Sequence, residues 1–109
     1  MRSKKDTEKN MIFTYKIFRQ SVDTLLAISD ASITGKKFED KDMTFDISTD
    51  FYGSEKCSKE QALKLMKSST IINACGKDIV SLMIKECMIP SGNVLEVCGI
   101  PHAQVVVIK

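Results

Sequence analysis

The sequence predicts an α+β domain in which two helices pack on one face of a mostly antiparallel sheet, in the order β-β-β-α-α-β-β. Three observations carry this: period-two alternation in short segments before residue 50 and after residue 93, apolar positions at three- and four-residue spacing between 59 and 87, and turn-forming residues between these stretches. Residues 11–18 (MIFTYKIF) put Met11, Phe13, Tyr15 and Ile17 on one side of a first strand, and residues 24–29 (TLLAIS), too short for a helix, supply its hairpin partner. Residues 43–48 (MTFDIS) alternate Met43, Phe45 and Ile47 inward with Thr44, Asp46 and Ser48 outward, a strand with one wet face. Ser58 precedes KEQALKLMK with Gln61 three residues on, a capping box that opens the first helix. From 70 to 87 the spacing of Ile72, Cys75, Ile79, Leu82 and Met83 predicts a second helix. Gly76 in its interior costs about 1 kcal/mol relative to Ala, so a bend or restart is expected between Asn73 and Lys77. Pro90 to Asn93 end that helix, and residues 94–98 and 102–108 return to strand pattern across the connection 99–101.

The 109 residues are 43% hydrophobic and 28% charged, the composition of one globular domain. Residues 1–10 (MRSKKDTEKN) have no apolar residue after Met1 and read as a flexible basic leader, with residues 11–109 forming the single domain. The leader holds the whole net charge of +2, four basic residues against two acidic, and leaves twelve of each sign in the remainder. A neutral body makes direct nucleic-acid binding an unfavoured function. No apolar run is long enough to span a membrane and no signal peptide is evident, so a cytoplasmic protein with no membrane partner is expected. Cys57, Cys75, Cys87 and Cys98 form no CxxC pair, and no zinc-finger histidine accompanies them, so no metal and no cofactor are expected and all four read as plain thiols. Cys57, alone in polar sequence, is the one expected to react.

His102 is the only imidazole, and Gln104 shares its side of the last strand. The pair can offer a base and an amide to a ligand, or His102 can pin the turn after Pro101 by bonding a nearby backbone group. Asp30 and Gly35 bracket a four-residue turn, read as a local aspartate cap closed by a left-handed glycine, with Lys36 as a phosphate contact the alternative. Phe51 and Tyr52 ahead of a helix read as a packed loop, or else as a stacking platform, with Gly53 serving a turn. Asn73 reads as a helix cap, or as one side of an anion site at the same terminus.

Three stretches, AISDASITGKKF at 27–38, DFYGSE at 50–55 and GIPHAQVV at 99–106, with Asn73 and Gly76 as N-x-x-G between them, resemble the archaeal family catalogued as domain of unknown function number 424. FYG and PHAQ are its specific part, whereas Ser54 and Lys77 depart from its usual glycine and acidic residue. The resemblance covers the chain from about Met11 and implies a compact α+β cytosolic domain without an established activity. The expected function is a small non-catalytic binding module whose FYG and PHAQ stretches meet as one surface, made of Phe51, Tyr52, Gly53, Pro101, His102, Gln104, Asp30, Lys36 and Asn73. Its partner would be a protein or ribonucleoprotein. The alternatives are a small enzyme or ligand-binding protein with a pocket around His102, and RNA binding by the leader and Lys36-Lys37.

Overall fold

The computed structural model describes residues 11–89 and 91–107, so the leader and the last residue of the expected final strand lie outside the described residues. Strands β1 (Ile12–Gln20) and β2 (Asp23–Asp30) form the expected hairpin, with Gln20 opposite Asp23. β3 (Lys37–Asp40) and β4 (Met43–Asp46) follow as a second hairpin, then a single helical turn α1 (Thr49–Tyr52), β5 (Glu55–Ser58), α2 (Lys59–Lys67), β6 (Ile71–Cys75), α3 (Lys77–Lys85), β7 (Leu95–Val97) and β8 (Ile100–Val106). Six strands make one sheet in the order β5-β1-β2-β6-β8-β7, antiparallel at every junction except β2 with β6. The α+β class with two helices on one face therefore holds, while the order of elements is richer than expected.

Alternation explains the two faces. Phe13, Leu26, Ile28, Ile72 and Ala74 point to one side, where Ala62 and Met66 of α2 and Ile79 and Met83 of α3 cover them. Burying each large side chain of this kind stabilises by about 1.5–3 kcal/mol. The other side carries Phe18, Ala27 and Cys75 and is roofed by Ile47, Phe45, Phe51 and Tyr52 from the β3–β4 hairpin and α1. The expected third strand at 43–48 is real but belongs to this two-stranded ribbon rather than to the main sheet. Its partner, β3, reads KFED, too short and charged to declare a strand on its own.

The expected long helix at 70–87 is two elements. Residues 71–75 (IINAC) pair in parallel with β2 and antiparallel with β8, and only after Gly76 does α3 begin. A spacing of three and four cannot separate a helix from a buried strand running into one, because both demand nearly continuous apolar residues. Gly76 is the hinge: its φ of +124° is disfavoured for other residues, and a Cβ there would overlap the Asp30 carboxyl carbon. α2 begins as expected, with the Ser58 hydroxyl accepting from Gln61 N and the Gln61 side chain accepting from Ser58 N. No described helix is long and apolar enough to cross a membrane.

Gly76→Ala is expected to lower the unfolding free energy by about 2 kcal/mol or more, because it adds left-handed strain to a collision with a buried carboxylate. Urea denaturation followed by circular dichroism measures this, and a variant within about 0.5 kcal/mol of the parent would show that the close approach is not needed.

Candidate functional site

The described stretches FYG and PHAQ meet across β6. Antiparallel register sets Cys75 opposite His102 and Asn73 opposite Gln104. The one-turn helix α1, started by the Ser48 hydroxyl accepting from Asp50 N, drops Tyr52 onto the same side of the sheet. Gly53 permits that descent: at φ +74° it lies so close to β1 that a Cβ would overlap the Tyr15 carbonyl oxygen. Tyr52 then donates its hydroxyl to Asn73 Oδ1 at 2.8 Å, and His102 Nε2 meets the same oxygen at 3.0 Å. With the amide oxygen accepting from both, His102 carries its proton on Nε2. Phe45 stands edge-on to the imidazole at 6.0 Å, Phe51 edge-on to Tyr52 at 4.9 Å, and Phe51 stacks on Phe18 at 5.5 Å.

Asn73 is thus not the expected helix cap; it sits in mid-strand, where a backbone already paired on both sides leaves its side chain to bridge neighbours. The cap of α3 is Asp30. Its carboxylate accepts from Asp78 N at 2.8 Å and from Ile79 N at 2.9 Å, answering orphan amides of a helix that starts 47 residues later and whose own N-cap, Gly76, has no side chain. The local role expected for Asp30 falls to its backbone carbonyl, which takes Ile33 N and Thr34 N in the turn that Gly35 ends at φ +88°. Lys36 is exposed beside that turn, its carbonyl accepting from Ile47 N at 2.9 Å, and no hydrogen bond joins its side chain to Tyr52, Asn73 or His102. Gln104 is exposed and Pro101 half-buried, its carbonyl accepting from Gly76 N at 2.9 Å.

The cluster is electrically quiet. Burial lowers the pKa of His102, so the ring is neutral at neutral pH. Burial, with the nearby Asp30 charge, pushes Cys75 up to about 12, and burial raises Tyr52 above its ordinary value, so thiol and phenol stay protonated. Asp30 is itself raised to about 6, its desolvation outweighing the two amide bonds. Cys57, expected to be the reactive thiol, is buried instead and pushed up to about 11, because its strand turns it under α2. Its polar sequence neighbours are the outward residues of a short edge strand, which explains the misleading context. Among the described residues no three His, Cys, Asp or Glu side chains gather as a metal site. The roles of Cys75, Phe18 and Phe45 had no signal in the sequence, since only the register of β6 and the fold of the ribbon bring them here.

This geometry can be set beside known proteins. A family model described as protein of unknown function (DUF424) matches residues 18–108. The chain belongs to the DUF424 family. No curated protein matches it. The crystal structure of an uncharacterized conserved protein from Methanopyrus kandleri is similar at a TM-score of 0.75 and 22% identity, covering 86% of this chain and 90% of that one. At that identity the likeness shows a shared fold and no activity.

Two outcomes are expected of the DUF424 cluster. Tyr52→Phe removes one of the two donors to Asn73 and should cost about 1 kcal/mol in a denaturant melt, the other bond remaining. A cost near zero would mean the hydroxyl is equally well served by water. For Asp30, the folded-state pKa of about 6 lies above the ordinary 3.8, so its protonation supports the fold fully below the lower value and that support is lost as pH rises through the higher. Denaturation midpoints of the parent, relative to Asp30→Asn, should therefore fall between about pH 4 and pH 7; a flat difference across that window would refute the raised pKa.

Proposed function

We propose that this protein is a non-catalytic binding module that holds a protein partner, free or within a ribonucleoprotein, on the sheet face around Asn73. The observation that carries this is the fixation of the Asn73 side chain. Its oxygen is taken by Tyr52 and His102, and its nitrogen has no partner among the described residues. Since no described side-chain nitrogen or oxygen is buried without a partner, Nδ2 reaches solvent as a donor held in one orientation. A preorganised donor at a surface lowers the entropic cost of recognition. Exposed Gln104 adds a second amide on the neighbouring strand. Further along the same face a cavity of about 350 Å³ is lined by Phe18, Gln20, Ser21, Asp23, Leu25 and Ile71, room for one large side chain of a partner.

The chemistry favours a protein over bare nucleic acid. The socket is mostly apolar, and Asp23 at its rim repels phosphate. Catalysis is disfavoured for a positive reason: the imidazole directs its Nε2 proton to a neutral amide rather than to a nucleophile, and the thiol opposite it in register, Cys75, is held protonated.

Affinity capture from an extract of the source organism tests this, with the parent compared to the double variant Ile71→Lys/Gln104→Ala. The expected result is one protein recovered in stoichiometric amount by the parent, resistant to ribonuclease, and at least about tenfold less by a variant of unchanged circular dichroism. Equal recovery by both, or recovery that ribonuclease abolishes, overturns the proposal.

A further inference from the structure

Strand β8 is bonded along the whole of one side and along only part of the other. Gly76 N donates to Pro101 O at 2.9 Å and Val107 N donates to Thr70 O at 2.8 Å. In an antiparallel ladder the bonded pairs alternate, so Ala103 and Val105 also face β6, and Ile100, His102, Gln104 and Val106 send their N–H and C=O groups the other way. β7 meets the first two of these, with Val97 opposite Ile100 and Leu95 opposite His102, and there it ends. Gln104 and Val106 are left with no backbone partner among the described residues.

Open edges are usually guarded by lysine, proline or a bulge. This one is not: residues 103–107 read AQVVV, without a charge, and Val106 is 68% exposed. Beside it, a cavity of about 290 Å³ is lined by Met88, Val105, Val106 and Val107. Two donors and two acceptors on alternate residues, next to an apolar hollow, describe the complement of a β-strand rather than of a helix or a small molecule.

We propose that the strand which completes this edge is β8 of a second copy of the chain, running antiparallel about a two-fold axis through Val105. In that register each copy's Gln104 lies opposite the other's Val106, which closes four backbone hydrogen bonds. Val105 meets Val105 across the axis, and each copy's Val105 and Val107 turn toward the hollow beside the other's Met88. The absence of charge favours a self-pairing: the two-fold axis brings each residue of 104–106 close to its own copy, directly opposite at 105 and diagonally at 104 and 106, so a lysine there would repel its copy, whereas an edge meant for a foreign strand would draw on charge to choose it. β7 limits the contact to these few residues, so the dimer is weak and forms with rising concentration. It joins the two main sheets into one and puts the two faces that carry Asn73 side by side. The pairing stands on the strand edge alone and holds whether or not that face binds a partner.

Sedimentation equilibrium of the full chain over a range of concentrations tests the pairing, together with hydrogen exchange read residue by residue. The expected result is a mass that climbs from one chain toward two, with the amides of Gln104 and Val106 becoming protected in step. Val106→Pro deletes only an N–H that points away from β6, so the internal ladder survives, and association should weaken by at least about tenfold. Should that variant misfold, Val106→Lys, which places a cation on the two-fold seam, is expected to do the same. A parent that stays at the mass of one chain throughout, or a dimer that the folded variants form equally well, overturns the proposal. So does protection of Gln104 and Val106 that appears only when a different protein is added.

Discussion

The buried carboxylate of Asp30 ends β2 and begins α3, and most of the molecule is positioned by that double duty. Two amide bonds at 2.8 and 2.9 Å fasten the first turn of the helix to the last residue of the strand. Gly76 is what lets the chain leave β6 this close to the carboxylate, and since β6 runs parallel to β2, the fastening fixes the register between them. β8 then pairs with β6, which sets His102 beside Cys75 and leaves Asn73 between Tyr52 and the imidazole. An interaction between residues nearly fifty positions apart thus decides which side chains share the opposite face. The cost is a carboxylate held out of water, and its raised pKa of about 6 is the visible mark of that cost.

How much of this was legible depends on the range over which each residue acts. The capping box at Ser58, the β1–β2 hairpin and the strand patterns at both ends were readable because their causes are local. The split of 70–87 into strand and helix was not, because it depends on IINAC being covered on both faces and on a glycine whose need is imposed by Asp30 from far away. Cys57 misled for a related reason: its immediate neighbours Lys56 and Ser58 point outward and Glu55, on its own side, is exposed at the strand end, so the local composition is polar although Cys57 is turned to the core. Of the site, the FYG and PHAQ stretches could be singled out from their unusual residues, but the atom that joins them, Asn73 Oδ1, could not.

The polar seam under the roof is bonded without being charged, and its one donor with no partner among the described residues, Asn73 Nδ2, reaches solvent. Tyr52, His102 and Cys75 are each held in their neutral forms by burial, the Asn73 amide carries no charge at any pH, and neutral groups that bond one another tolerate low dielectric surroundings far better than ions do. Such a seam specifies geometry: an apolar contact between α1 and β8 would permit sliding, whereas two bonds converging on one amide oxygen do not. Rigidity of that kind suits a surface that must present the same donor to a partner every time, and it is of little use to a proton-transfer site, which needs a group poised between two protonation states.

β8 shows how one strand can serve three neighbours without conflict, since its backbone and its two sets of side chains point in independent directions. Ala103 and Val105 turn toward the helices, His102 and Gln104 toward the opposite face, and the peptide groups lie in the plane of the sheet. Changes in any one direction leave the others nearly untouched: replacing the Val106 N–H alters the edge but neither the core nor the amide of Asn73. The strand's short apolar run therefore answers two demands that are usually opposed, burial on one face and an uncharged edge in the sheet plane. Because β7 pairs with only three residues of β8, the remaining edge is long enough to bond and too short to propagate, which restrains the open-ended stacking that a longer bare valine edge would invite.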